Sequence, residues 1–367
     1  MLSLSGLALF AGIASAYVVS NGTTCYLYPE SQIHLGRNVD DTPSIHQAFD
    51  QCGTNGTVVF TEETFHLNTV VNTTGLLNCL VELKGELLFS TNVPYWLSHS
   101  ISVGLQNQST AWLFGGTNVT FLGQGGSING NGQTWYDENQ NHSNQPGRPI
   151  TITFSNSTNL WIENLRIIQQ QFWATFVTYS HNVTMKDVYV NGTSNSRWNT
   201  VNTDGSDTWN SRDILMENWT VVTGDDCIAA KGNTTNLHVK NVTCYGGAGM
   251  TIGSVGQYPN SPDYDENIVF EQVRTIDTFN GAYIKTWQGE TAGVSSNGDA
   301  GGGGSGLIRN ITFKDFDMIN CSLPLQITQC IYTEDAGACE TSKSRYIEDI
   351  HFENITATSR YNIAASL

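Results

Sequence analysis

One pattern of hydrophobic and polar positions recurs along the chain. An Asn or Asp is followed by alternating apolar positions, then by Asn, Asp or Gln, then by apolar residues again. It reads Asn118-Val-Thr-Phe, Asn159-Leu-Trp-Ile-Glu-Asn, Asn182-Val-Thr-Met-Lys-Asp and Asp213-Ile-Leu-Met-Glu-Asn. It continues as Asn236-Leu-His-Val-Lys-Asn, Asn267-Ile-Val-Phe-Glu-Gln, Asn310-Ile-Thr-Phe-Lys-Asp and Asp349-Ile-His-Phe-Glu-Asn. Strict alternation over a short run is the period of a half-buried strand, and Val, Ile, Thr and Phe favour that conformation. The closest copies start 23 residues apart, at 159 and 182 and again at 213 and 236. Wider gaps read as one coil with an inserted loop, or as two coils. A repeat in the low twenties built from single strands predicts a solenoid, since one such unit cannot bury its apolar face alone. Leucine-rich repeats share the period but need a leucine skeleton, which is absent.

The expected fold is therefore all-β: a single-domain right-handed parallel β-helix (solenoid) of roughly ten coils. An antiparallel sandwich with coincidental repeats is the alternative. Asn at coil corners can bond its own backbone, adopt the left-handed conformation and stack on the Asn of the next coil. One departure from strand patterning comes early. Thr42-Pro43 followed by Ile45, Ala48 and Phe49 predicts a short helix, capped by Thr42, that plugs the open end of the solenoid. No linker interrupts the rest.

Composition adds the compartment. Residues 1–16 combine a short apolar stretch (Leu2, Leu4, Leu7, Leu9, Phe10) with the small-residue run Ala14-Ser15-Ala16. This reads as a signal peptide, leaving 17–367 as the mature domain; a buried N-terminal strand is the alternative. No segment is long and apolar enough to span a bilayer. Fifteen Asn-x-Ser/Thr sequons point the same way, toward a secreted, extracellular glycoprotein. Eight cysteines in an exported chain favour disulfides over a metal site, and no zinc-like spacing occurs. Cys227 with Cys244 and Cys330 with Cys339 are close enough to staple neighbouring turns. Cys25 with Cys52 is a further candidate, and Cys79 and Cys321 have no evident partners. A net charge of −17 argues against nucleic acid and anionic membranes as partners. No cofactor or metal is expected, and the chain is expected to be a monomer.

Against this background the acidic residues stand out by position. Asp204 lies in Asn202-Thr203-Asp204-Gly205 and the pair Asp225 and Asp226 in Gly224-Asp225-Asp226-Cys227, so 204 and 225 are 21 residues apart, one coil. They should stack on adjacent rungs with carboxylates a few ångströms apart. Crowded like charges raise at least one pKa, which is what a general acid needs. Glycoside hydrolysis requires one protonated carboxyl beside one ionised carboxylate. Calcium binding and turn capping are the alternative uses of such a cluster.

These motifs, with Gly253-Ser254-Val255-Gly256 and Ile284-Lys285-Thr286-Trp287, resemble the polygalacturonase family, glycoside hydrolase family 28, over about residues 30–360. The resemblance implies an inverting pectin glycosidase in which Asp225 is the general acid and Asp204 with Asp226 activates the attacking water. It implies a Cys227–Cys244 disulfide beside the site and Lys285 as a substrate-binding cation. Tyr95, Trp96, Gly104-Leu105-Gln106-Asn107 and Lys231 resemble the exo-acting branch, whose loops close one end of the cleft.

Two positions depart from the family pattern. Gly-His-Gly is here Gly247-Ala248-Gly249, and Arg-Ile-Lys is here Tyr283-Ile284-Lys285. An arginine clamps a carboxylate bidentately, whereas an aromatic ring offers apolar contact and no ion pair. Galacturonic acid carries a carboxylate at C6, and rhamnose a methyl. Tyr283 therefore favours a pectic oligo- or polysaccharide containing rhamnose, cleaved as by an exo-acting α-L-rhamnosidase. An exo-polygalacturonase is the close alternative, since Lys285 and Lys231 could hold a carboxylate. A non-catalytic pectin-binding protein is the alternative of another class, and an enzyme inactivated by the two losses is a further one. His181, His238 and His351 read as structural or exposed, Trp135, Trp173 and Trp209 as core or stacking residues, and Gly301–Gly304 as a loop.

Overall fold

The computed structural model describes residues 16–30, 39–143, 145–289, 302–331, 336–340 and 343–367. The expected leader thus lies, but for Ala16, outside the described residues. The chain winds as a right-handed parallel β-helix. One sheet is built from Ser109–Leu122, Pro149–Ser155, Thr175–Thr178, Ser206–Trp209, Ile228–Ala230, Met250–Val255, Asn280–Trp287 and Leu323–Ile331, each strand parallel to the one before. The flanking sheets come from long bent strands such as Ser211–Val222 and Thr234–Tyr245.

The recurring sequence pattern maps directly onto this geometry. Leu160, Val183, Ile214, Leu237, Ile268 and Ile311 share one buried column, as do Ile162, Met185, Met216, Val239, Phe270 and Phe313. Phe313 stacks on Phe270 at 5.2 Å and on Phe352 at 5.3 Å, so each ring fills the gap left by the coil below. Burial of each such side chain contributes about 1.5–3 kcal/mol. The Asn that opens each repeat sits at a corner in the left-handed conformation: Asn118, Asn159, Asn182, Asn236, Asn267 and Asn310 all have φ between 54° and 59°. Their amides form a ladder, Asn118 donating to Asn78, Asn159 to Asn118 and Asn182 to Asn159 at 2.7–2.9 Å. The second polar position makes another corner, with Asn218 donating to Asp187 and Asn241 to Asn218 at 2.8 Å. Alternation, corner chemistry and register thus agree, which is why the repeat was legible.

The predicted plug is the helix Thr42–Cys52, which buries Ile45, Ala48, Phe49 and Cys52 against the first coils. Its N-cap is Asp41, not Thr42, and that side chain does not cap. Its carboxylate instead accepts from the backbone N–H groups of Glu30 and His66 at 2.8 and 2.7 Å, tying two neighbouring segments together. Disulfides join Cys25 to Cys52 and Cys227 to Cys244, and Cys79 and Cys321 are free and buried. Cys339 is disulfide-bonded, whereas the side chain of its expected partner Cys330 lies outside the described residues. Among the described residues no helix is long and apolar enough to cross a membrane.

Candidate active site

The outer face of the sheet carrying Ser206–Trp209 gathers the predicted carboxylates. Asp204 ends the loop before Ser206–Trp209, and Asp225 and Asp226 end the loop before Ile228–Ala230. The register differs from the expected one by a residue. Ser206 pairs with Ile228, and Gly205 N–H donates to Asp226 O at 3.0 Å, so the rung partner of Asp204 is Asp226. Asp225 occupies the turn one residue earlier. That turn needs Gly247 beneath it: its φ is 63°, and a Cβ there would collide with the carbonyl of Asp225. One oxygen from each of Asp204, Asp225 and Asp226 lies within 4.8 Å of the others. Cys227, directly after the pair, is pinned in the core by its bond to Cys244.

Burial separates the three. Asp204 and Asp226 are enclosed, while Asp225 keeps partial exposure. Asp225 accepts from Asn202 Nδ2 at 3.1 Å and from the N–H of Asp226 at 2.9 Å. Asp226 accepts from Lys285 Nζ at 2.8 Å and from Thr251 Oγ1 at 2.7 Å. Asp204 Oδ1 is buried with no hydrogen-bond partner among the described residues. Both substrate-binding lysines of the sequence reading lie on the outer face but are covered and engaged by the carboxylates. Lys231 is 6% exposed and Lys285 7%. Lys231 lies 3.0 Å from Asp207, 3.7 Å from Asp226 and 3.9 Å from Asp204, with its ammonium over the ring of Trp173 at 5.2 Å.

Electrostatics follow from this arrangement. Burial, then repulsion from Asp225 and Asp207, pushes the Asp204 carboxyl well above its ordinary value, against the pull of Lys231. Burial and Asp226 raise Asp225, opposed by Lys285 and Lys231. Burial also works against ionisation of Asp226, but Lys285 and Lys231, with hydrogen bonds from Lys285 and Thr251, hold it below the usual carboxylate range. These surroundings therefore favour the protonated form at Asp204 and Asp225 and the ionised form at Asp226. Such a division can donate a proton to a leaving oxygen and accept one from water. The ammonium groups already supply the positive charge that calcium would bring, which weighs against the metal alternative.

Sequence reasoning missed four participants. Asp207 is fully buried beside Lys231, and its place three residues after Asp204 was the available signal. Thr251 follows two residues after Gly249 and faces outward beside Tyr283. Arg148 is fully buried over the Phe172 ring, its Nε bonded to Gln171 O, and among the described residues its terminal nitrogens have no hydrogen-bond partner. Burial lowers it to about 10, against Tyr136, Asp204 and Asp225. Gln257 forms a bridge that no spacing could indicate.

That bridge concerns segment 101–108. Val103 and Leu105 pack with Ile150, Phe172, Trp173 and Phe176 in a hydrophobic cluster outside the solenoid, against which Trp209 also rests. Gln106 Nε2 then donates to Gln257 Oε1 at 3.0 Å. Gln257 follows Met250–Val255, five strands along the sheet from Ser109–Leu122, so the two side chains bridge elements far apart in the stack. Gly302 N–H donates to Gln257 O, and Gly304 N–H to Gly256 O, holding the far end. Tyr95 and Trp96 stand elsewhere, on the helix Val93–His99, where Trp96 is core and Tyr95 stacks on His99. Tyr283 lies on the outer column beside Thr251, with Lys285 Nζ 5.2 Å from its ring centre. Ala248 occupies the rung after Asp226 as expected, its N–H donating to Asp225 O at 2.9 Å.

Residues 63–367 match the family described as Glycosyl hydrolases family 28. An α-L-rhamnosidase of Aspergillus niger is 39% identical over 331 residues, covering 89% of this chain and 76% of that protein. An Aspergillus niger protein with the provisional name galacturan 1,4-alpha-galacturonidase A is 39% identical over 382 residues, covering 97% and 85%. The crystal structure of endo-xylogalacturonan hydrolase from Aspergillus tubingensis superposes with a TM-score of 0.76 at 26% identity, covering 92% of this chain and 85% of that one.

Proposed function

Since the chain belongs to glycosyl hydrolases family 28, we propose that this glycosidase is a secreted, monomeric, exo-acting α-L-rhamnosidase that cleaves rhamnose-containing pectin with inversion. Asp225 is the general acid, being the one carboxyl of the three with access to the cleft. Asp204 and Asp226 hold the water, and Asp226, the carboxylate kept ionised, takes its proton. Asp226 is bound by Lys285 and Thr251, which keeps it ionised but leaves it poorly placed to attack carbon itself. The closest oxygens lie nearer than the ~6.5–9.5 Å usual for an inverting pair. Two enclosed carboxylates around one water, rather than one nucleophile, accommodate that crowding.

The observation that carries the choice of sugar is the engagement of both lysines. Lys285 is spent on Asp226, and Lys231 on Asp207, Asp226 and Asp204. Tyr283 takes the position of the family's arginine. A C6 carboxylate would have to compete with Asp226, Asp207 and Asp204 for these two lysines, while a methyl group gains contact with the ring. The strap 101–108 across the sheet supports cleavage from a chain end. A second reading, exo-galacturonidase, rests on the 39% identity to the galacturonidase-named relative, equal to that of the rhamnosidase.

A panel comparing a chromogenic α-L-rhamnoside with an α-D-galacturonide tests the choice. Faster release from the rhamnoside is expected. Release of galacturonate from polygalacturonate with no action on rhamnosides overturns it in favour of the second reading.

A further inference from the structure

Tyr179, Asn210, Asn233 and Tyr264 occupy one column on four successive rungs, since His181 pairs with Arg212, Arg212 with Thr235 and Thr235 with Glu266 two residues further on. Asn156 precedes them on the same column. Asn156, Asn210 and Asn233 take the left-handed corner conformation at φ 50°, 48° and 63°, and Asn233 Nδ2 donates to Asn210 Oδ1 at 2.8 Å. Tyr179 adopts the same conformation at φ 50°. Every other left-handed residue among those described is Asn, Asp, Gln or Gly. A bulky side chain is strained there, and it has no amide to extend the ladder. Among the described residues no hydrogen bond joins Asn210 to the rung of Tyr179.

The sequence thus gives up a corner asparagine to present an aromatic ring. Tyr179 is 49% exposed and meets Trp209 edge-on at 5.2 Å. Trp209 ends the strand that carries Asp207, so the ring continues outward from the edge of the candidate cleft. Three rungs on, Tyr264 is 44% exposed. Between the two tyrosines lies a groove of about 400 Å³ lined by Asn210, Asn233, Thr235, His181 and Arg212. The column spans about 14 Å at ~4.8 Å per rung, longer than one sugar and suited to a stretch of polymer.

We propose that this groove is a second, non-catalytic binding site for pectic polysaccharide, with Tyr179 and Tyr264 stacking on sugar faces, and Asn210 Nδ2 and the guanidinium of Arg212, which Asp213 holds at 2.9 Å, bonding hydroxyl groups. The proposal rests on the reading that the protein acts on pectic chains. A site at the cleft edge keeps a polymer close between cleavage events, raising its effective concentration at the carboxylates. It also requires the sequon at Asn233 to be unmodified, because a glycan on that nitrogen would fill the groove.

Polymer binding is measured by affinity electrophoresis in rhamnogalacturonan and in polygalacturonate, using Asp225→Asn protein so that nothing is cleaved. Tyr179→Asn and Tyr264→Ser should each weaken retention several-fold. Because Tyr179→Asn restores the ladder residue, its melting temperature should be no lower than that of the parent. In the otherwise wild-type enzyme both changes should leave hydrolysis of a small chromogenic glycoside unchanged. Unchanged retention in both variants overturns the site, as does a glycan found at Asn233 by peptide mapping. Wild-type protein that binds pectic polymer through Tyr179 but cleaves no glycoside would overturn the proposed function and leave the groove standing.

Discussion

Lys231 reaches one rung back along the solenoid to place its ammonium 3.0 Å from Asp207, a carboxyl with no exposed surface. Burial raises Asp207 to about 7, against Lys231 and reinforced by Asp226. In the unfolded chain an aspartate loses its proton near ~4. Between about 4 and about 7 the folded protein therefore holds a proton that the unfolded chain has released, and this contribution to stability is lost as pH rises through that window. The melting temperature, followed by calorimetry, should fall across this range. Asp207→Asn should make the slope shallower. An unchanged slope in the variant would assign the titration to another group.

Asp225→Asn should abolish turnover with the fold intact, since loss of a general acid typically costs about 10²–10⁴-fold. Asp204→Asn and Asp226→Asn should be nearly as severe. Steady-state rates with a matched far-UV spectrum check this. A variant retaining near-wild-type rate would remove that residue from the chemistry.

Proton NMR of the first-formed sugar reads the stereochemistry. Inversion is expected from a water held by Asp204 and Asp226. Retention would instead make one of these carboxylates a nucleophile and contradict the roles given above.

Tyr283→Arg should weaken rhamnoside cleavage, because an enclosed guanidinium lacking its carboxylate is costly. The same change, alone or with Ala248→His, should raise galacturonidase activity by restoring a charge-assisted clamp. The ratio of kcat/KM on the two glycosides is the readout. No movement of that ratio would mean that position 283 does not select the sugar.

Opening the strap should change where the polymer is cut. Gln106→Ala with Gln257→Ala removes the 3.0 Å bridge between segment 101–108 and the far side of the sheet. The wild type is expected to release single sugars with little early loss of viscosity, and the double variant to release oligosaccharides with a faster loss. Identical product profiles would show that the hydrophobic cluster under Leu105, not the bridge, holds the wall.

Much of this protein was legible before its fold was seen, for local reasons. Alternation such as Asn236-Leu-His-Val puts Leu237 and Val239 on one face, and an Asn at each corner can turn left-handed, so a repeat near 23 residues can only stack as a solenoid. The same periodicity brought Asp204, Asp225 and Asp226 to one place. Periodicity does not fix loop length to the residue, so it aligned Asp204 with Asp225 where the ladder aligns it with Asp226. Nor does it say where long side chains go. Lys231 and Lys285 read as cations facing substrate, and only the packed structure turned them onto Asp207 and Asp226, because enclosed carboxylates need neutralising more than solvent does. Gln106 meets Gln257 across 151 residues, a contact made by a loop folding back over finished coils and written in no local pattern.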